Sequence, residues 1–510
     1  MAKKKAKAKV KRDAKPRQAA ESGEVLDLKS AAAFLKVSKP TFYRWLAQGK
    51  IKGFKAGQQW RFYRRDLEQF LQAEEPSALL ADAEKLRQAV EQGRKARGLR
   101  PADWAPLEDQ SPEESAVIQA VNIIIGDAID ARASDIHMDN SQDETMVRYR
   151  IDGVLHEAMR LPREASRPIV SRLKLMGDMN ISERRAPQNG RIAIKHKGKD
   201  YDLRVTTIPA VFGESAITRI LDQSSVLIGM DRLGFSAQMR EAFERVLHYS
   251  PMGLLVVAGP AGCGKTTVLY SALHHINSPE KKIVSIEDPV EYFVPNTMQV
   301  HVNRKAGLTT AVALRAFMRV DPDIILVGEL ADPETIQNSV QAALTGHLVL
   351  TTMHAEDAPF VVTRMIDMGV EPYLVASSMA AVLAQRLVRR VCQKCKAKHT
   401  PSQSMIQRLQ EQTGLDLAAG EFARGKGCGE CRGTGYRGRS GIYELMVVDE
   451  KLRELIARPA PTSELRQAAI EGGMTTMLRD GIEKAAQGIT TVEEVLRVLA
   501  GQQKAVQTKS

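Results

Sequence analysis

Residues 259–267 read Gly-Pro-Ala-Gly-Cys-Gly-Lys-Thr-Thr and follow the apolar run from Leu254 to Val257. Glycines in such a loop let successive backbone amides turn inward, and the start of the following helix adds its positive dipole end; both favour phosphate oxygens. The pattern is that of a P-loop, which needs a strand before it and a helix after it. On this reading Gly259, Pro260, Ala261, Gly262, Cys263, Gly264, Lys265, Thr266 and Thr267 cradle the phosphates of ATP. Lys265 reaches the β and γ phosphates, and the Thr266 hydroxyl holds Mg²⁺.

Carboxylates and histidines follow downstream. The run IVSIEDPVEYF places Glu287, Asp288 and Glu291 near a strand end, and DIILVGEL ends a second strand on Glu329. A carboxylate there can orient the attacking water or take up its proton. Many P-loop enzymes carry Asp before this Glu; here Gly328 stands in its place. His347 and His354 bracket a further apolar run. With no third ligand close in sequence, they suit phosphate sensing better than metal binding. Arg204 and Arg219 lie in otherwise apolar or hydroxylated strands and need an anionic partner; Asp202 or Glu214 could serve each as a structural pair.

Four of the five cysteines form two Cys-x-x-Cys pairs, Cys392 with Cys395 and Cys428 with Cys431. Two such pairs make a tetrahedral thiolate site for Zn²⁺. The competing reading, disulfides or free thiols, is disfavoured by a reducing compartment. Between the pairs, PSQSMIQRLQEQTGLDL is expected to form a helix.

These residues need a large scaffold, and 510 residues supply about three to four domains. With 43% apolar and 26% charged residues the composition is that of a globular protein. No apolar run approaches the roughly 18 residues of a spanning helix, and no secretory signal is visible. Five cysteines are too few for a disulfide scaffold, so a cytoplasmic setting is expected. Of the net charge of +12, residues 3–17 supply nine bases and one acid, or +8. This stretch reads as a solvated arm, either solubilising or attracted to nucleic acid or anionic lipid.

Behind the arm, Ser30 can cap one short helix and Ser38 a second. In the second, Phe42, Trp45 and Leu46 share a face and leave Thr41, Arg44 and Gln48 opposite. The alternation around Arg61 suggests a hairpin wing. The runs VSKPTFYRWLAQGKI and WRFYRRDLEQFL resemble the excisionase-type winged helix-turn-helix. That resemblance implies either DNA contact through Thr41, Arg44, Gln48 and Arg61 or a protein-docking role. A charged helix, Ala78 to Gln92, is expected in the linker that follows. Next, Val117, Val121, Ile124, Ile125 and Ile129 open an α+β region.

Taken together, ASDIHMD, VRYRIDGVL, RRAPQNGRI, the P-loop, IEDPVEY, LRAFMRVDPDIILVGE, LTGHLVLTTMHAEDA, GCGECRGTGYRGRSGIYEL and GITTVEEVLRVL resemble the secretion ATPases of type II secretion and type IV pilus assembly. The resemblance implies an α/β fold with a RecA-like P-loop core, preceded by an α+β (PAS-like) domain and carrying a zinc-binding insertion. It implies a cytoplasmic homo-hexamer, peripheral to the inner membrane, that drives a membrane platform protein by ATP hydrolysis. Within it Glu287 to Glu291 match the acidic box, Glu329 the Walker B carboxylate, His347 and His354 the histidine box, and Arg204 and Arg219 the charge-stabilising arginines. Arg315 and Arg319 match further basic positions. Ala331 departs from the family's usual Arg, so the contact of that Arg is absent. The tetracysteine module marks assembly rather than retraction members.

The boundaries expected are 1–23 for the arm, 24–73 for the helix-turn-helix, 74–112 for the linker, 113–225 for the α+β domain and 226–391 for the core. The zinc module takes 392–440, the helical C-terminal part 441–500 and a tail 501–510. Two other readings stand beside the motor. One is a DNA-responsive regulator or DNA translocase, and the other is a catalytically weak scaffold suggested by Ala331.

Overall fold

The computed structural model describes residues 25–34, 53–56, 59–64, 76–97, 112–222, 229–250, 252–458 and 460–507, with positions 42, 46, 51, 66 and 67. Thr41, Arg44, Gln48, the Ser38 cap and the basic arm lie outside the described residues. Two compact units are present, one of residues 1–89 with 103–120, the other of 90–102 with 121–510.

In the first unit, β1 (Val25–Asp27), β2 (Phe54–Ala56) and β3 (Gln59–Tyr63) form a three-stranded antiparallel sheet in the order β1-β3-β2. Phe62 packs edge-on to Phe42 with Ala31, Ala32, Ile51 and Leu67 around them. The helix Leu28–Phe34 begins two residues before the expected cap. Asp27 Oδ1, not Ser30, accepts from the Ser30 amide at 2.7 Å, because the side chain just outside the first turn reaches its free amides. The linker helix runs Pro76–Ala96, longer than expected at both ends.

The second unit opens with a six-stranded antiparallel sheet in the order β6-β5-β4-β9-β8-β7. Its strands are β4 (Ala133–Asn140), β5 (Glu144–Ile151), β6 (Val154–Pro162), β7 (Gln188–His196), β8 (Lys199–Ala210) and β9 (Gly213–Asp222). Asp152 and Gly153 both have positive φ, +48° and +85°, as a two-residue hairpin between β5 and β6 demands. The helix Pro112–Asp130 buries Ile124 and Ile125, and Tyr149 donates its hydroxyl to Ile124 O at 2.9 Å.

A seven-stranded sheet follows in the order β12-β11-β13-β14-β10-β15-β18. It comprises β10 (Gly253–Ala258), β11 (Ile283–Glu287), β12 (Thr297–His301), β13 (Ile324–Val327), β14 (Leu348–Met353), β15 (Met379–Val391) and, past the small zinc-module strands β16 (Lys396–Lys398) and β17 (Ala423–Gly425), β18 (Tyr436–Val447). All are parallel except β18, which pairs antiparallel with β15. Every residue of β10, β11, β13 and β14 is buried, which explains their continuous apolar runs: helices cover both faces of a parallel sheet. The helix expected between the cysteine pairs spans Gln403–Thr413, capped by the Ser402 hydroxyl.

Candidate functional site

Parallel strands end together, so the loops after β10, β13 and β14 gather at one edge of the sheet. Gly259, Gly262 and Gly264 of the first loop have φ of +153°, +72° and +92°, conformations closed to most side chains. Gly264 caps the helix Lys265–Ile276 without a side-chain bond, so its first turn is not closed by a cap and its amides can turn to an anion, that of Lys265 meeting the Cys263 sulfur. Lys265 Nζ donates to Gly259 O at 2.9 Å and to Pro260 O at 3.0 Å. Burial, with a smaller contribution from the Arg386 guanidinium, holds the Lys265 ammonium below the usual lysine range against the pull of Cys263 and Glu329. Cys263 is buried, and burial pushes its thiol up.

Glu329 follows β13, fixed by the bonds Thr352 Oγ1 to Gly328 O at 2.8 Å and Leu330 N to Thr352 O at 2.8 Å. His354 follows β14, where Gly259 N donates to Met353 O at 3.2 Å, so this histidine borders the phosphate loop. Its Nε2 lies 3.8 Å from Glu329 Oε2. His347 sits at the other end of β14, beside Gly253, whose amide donates to His347 O. Six residues of strand put about 20 Å between the two histidines. The fold therefore joins His354 to the cluster and leaves His347 outside it, with Nδ1 donating to Ala342 O at 2.8 Å.

Glu287 is buried. Tyr270 donates to its Oε2 at 2.5 Å and Ser285 to its Oε1 at 2.7 Å; sequence reading missed both, although Ser285 lies two residues away on the same face of β11. Arg204 Nη1 lies 3.8 Å from Glu291 Oε1, and Arg219 Nε 3.1 Å from Asp135 Oδ1. Neither arginine takes the neighbours considered from sequence, since Asp202 pairs with Arg191 and Glu214 with Lys174. Arg315 pairs with Glu334. In the wing, Arg61 donates to Gln59 Oε1 and to Trp60 O.

The four paired cysteines place their sulfur atoms within 4.8 Å of one another. Separations of 3.8 Å for Cys392 to Cys428, and 3.7 Å for both Cys395 and Cys428 to Cys431, rule out disulfides, whose S–S bond is about 2.05 Å. A tetrahedron with Zn–S of about 2.3 Å has edges of about 3.8 Å, so the cluster fits zinc. Burial pushes the Cys431 thiol up, but the Cys428 and Gly435 amides and the neighbouring sulfurs outweigh it and bring it down to about 6. Cys395 moves the opposite way, pushed up chiefly by burial, so it is the spacing of the four sulfur atoms that fits a metal.

A glycine-rich loop at the carboxyl edge of a parallel sheet, with a carboxylate and a histidine beside its lysine, defines a P-loop nucleotide-binding protein of the α/β class. Residues 110–497 match the family described as "Type II/IV secretion system protein", and the chain belongs to that family. Residues 25–75 match a helix-turn-helix domain. The type II secretion system protein E of Pseudomonas aeruginosa is 43% identical over 406 residues, 78% of this chain and 80% of that protein. The type IV pilus assembly ATPase PilB of Thermus thermophilus is 45% identical over 387 residues, 75% of this chain but only 43% of its own length. Among solved structures, the pilus retraction motor PilT with bound ADP gives a TM-score of 0.50 at 25% identity, covering 74% of this chain and 95% of that one. The Legionella pneumophila ATPase DotB gives 0.55 at 18%, with the same coverages, a likeness of fold. No helix among the described residues is long and apolar enough to cross a membrane.

Proposed function

We propose that the chain is a Mg²⁺-dependent ATP hydrolase that powers type II protein secretion or type IV pilus assembly. The observation that carries this reading is the convergence of Lys265, Glu329 and His354 on one sheet edge within a chain of the secretion family. On this reading residues 226–391 are a RecA-like core, 113–225 the α+β (PAS-like) domain, 392–440 the zinc module and 441–500 the helical remainder. Six copies form a ring at the cytoplasmic face of the inner membrane and push on a platform protein. The Cys-x-x-Cys pairs favour assembly or secretion over retraction.

Each residue then has a task. The first-turn amides of Lys265–Ile276 and the Lys265 ammonium bind phosphate oxygens. The Thr266 hydroxyl would hold Mg²⁺, which supplies charge neutralisation at the transferring phosphoryl group. Glu329 orients the attacking water and takes its proton, with His354 beside it. Glu287 steadies this edge from the core through Tyr270. Arg204 and Arg219 supply positive charge against the developing phosphoryl charge.

The test is Mg²⁺-dependent phosphate release by the purified full chain. Lys265→Ala is expected to abolish binding and turnover, while Glu329→Gln keeps nucleotide binding and loses turnover. Turnover that survives Lys265→Ala overturns the proposal. A second reading, a DNA-bound regulator, is favoured by the helix-turn-helix match at 25–75. Salt-dependent retention of the full chain on duplex DNA, lost when Arg44 and Arg61 are replaced by Ala, is its expected result.

A further inference from the structure

β15 runs beside β10 with Ala384 opposite Ala258, so Gln385 and Arg386 come level with the first residue of the phosphate loop. Gln385 is 1% exposed, and its Nε2 donates to Cys263 O at 2.7 Å, holding the loop from the sheet side. Its Oε1 is buried with no hydrogen-bond partner among the described residues. An apolar side chain of similar shape would avoid that desolvation, so the donated bond is what the amide contributes. The contact is close: a Cβ added at Gly264 would lie 3.2 Å from Gln385 Nε2, and one at Gly259 2.7 Å from Gln385 O.

Arg386 is 9% exposed. Its Nη1 donates to Gln385 O at 3.0 Å and its Nη2 to Glu356 O at 2.8 Å, two residues past His354. Both bonds end on carbonyl oxygens, and the carboxylates of Glu356, Asp357 and Glu444 act on the guanidinium only through space, less strongly than its burial. Lys265, bonded likewise to two carbonyls, faces the same loop and feels the repulsion of Arg386. Two partly desolvated cations on one loop oppose each other and gain when a polyphosphate arrives.

We propose that Gln385 and Arg386 are positioning residues of the nucleotide site. Gln385 fixes the inward-turned shape of the phosphate loop, and Arg386 adds a buried positive charge beside it while tying it to the loop that carries His354. This rests on reading residues 259–267 as the phosphate cradle.

The experiment is equilibrium binding of a fluorescent N-methylanthraniloyl ADP to the full chain, with hydrogen exchange over 259–267 and thermal melting in parallel. Gln385→Leu removes the donor at similar size; it is expected to raise Kd about tenfold, which is ~1.4 kcal/mol, and to speed exchange over the loop. Its melting temperature should stay within a few degrees of the parent. Arg386→Lys retains the charge and should lose no more than about threefold, whereas Arg386→Met should lose about tenfold and show a weaker salt dependence. Should Gln385→Leu melt far below the parent, Gln385→Asn, too short to reach Cys263 O, is expected to show the same loss. Parental affinity and exchange in the Gln385 variants, or equal weakening by Lys and Met at position 386, overturns the assignment while leaving the cradle in place. A parent chain that fails to bind the probe, or binds it equally after Lys265→Ala, overturns the cradle reading and this proposal with it.

Discussion

Arg204 in β8 faces Glu291 in the loop after β11 across 3.8 Å, joining the antiparallel sheet to the acidic run of the nucleotide core. Burial raises Glu291 above the usual carboxylate range, and Arg204 opposes that rise. Removing Arg204 by Arg204→Gln lifts the carboxyl further. A carboxyl raised in the folded state contributes stability that is full below its unfolded pKa and lost as pH rises through its folded pKa. The melting-temperature gap between parent and Arg204→Gln should therefore be near zero at pH 4 and widen toward pH 8, reflecting at most about 1 kcal/mol for a pair this close to solvent. Turnover should fall roughly 10³-fold if the guanidinium also meets phosphoryl charge. Calorimetry at the two pH values and a phosphate-release assay check both; a gap independent of pH would count against the pairing.

Glu444, buried in β18, accepts from Ala358 N at 2.9 Å and Met477 N at 3.4 Å, the first residues of two helices. Glu444→Ala leaves both amides without acceptors and opens a cavity, so it should cost about 3 to 5 kcal/mol in urea unfolding. Burial raises this carboxyl, so its contribution is full at low pH and lost as pH rises. The parent's advantage over Glu444→Gln, which does not titrate, should accordingly narrow between pH 5 and pH 9. An advantage that grows over that range would be the wrong sign.

The phosphate loop and the cysteine pairs were legible in the sequence because their chemistry demands contiguous residues: amides from one turn, or two thiolates from one knuckle. The buried strands were legible through their apolar runs. Partners brought together by docking were not. Glu291 lies 87 positions beyond Arg204, and only the packing of one sheet on the other's loops pairs them, so the nearby Asp202 and Glu214 looked equally good. His347 and His354 read as a pair because they flank one apolar run, yet strand geometry sends them to opposite edges. Glu287 read as a catalytic acid, while Tyr270 faces it only because the helix Lys265–Ile276 packs on β11, and Ser285, two residues earlier on the same strand, shares its face. Gln385 and Arg386 left a faint trace, the first polar residues to interrupt the apolar start of β15.

Metal removal tests the cysteine cluster and what it supports. The knuckle Gly429–Cys431 is followed by Arg432 in the left-handed region, with φ of +53°, and by the turn through Gly433 to Gly435 that donates an amide to Cys431 Sγ. Three residues on, Gly438 N donates to Asp152 Oδ2 at 2.9 Å, so the module's exit grips the β5–β6 hairpin of the antiparallel sheet. Four thiolates brought this close repel one another unless a cation neutralises them, and structural zinc returns its binding free energy as folding free energy, about 10 to 16 kcal/mol in small zinc peptides. The purified chain should therefore carry one zinc ion per chain by mass spectrometry, and Cys428→Ser should reduce it to a small fraction. Hydrogen exchange in the same variant should rise over 392–440 and over the hairpin residues 150–154, while the helix Lys265–Ile276 on the far side of the core sheet keeps its protection. Protection lost across the whole chain would make the cluster a general stabiliser. Unchanged exchange at 150–154 would mean that the hairpin's grip on the module does not depend on the metal.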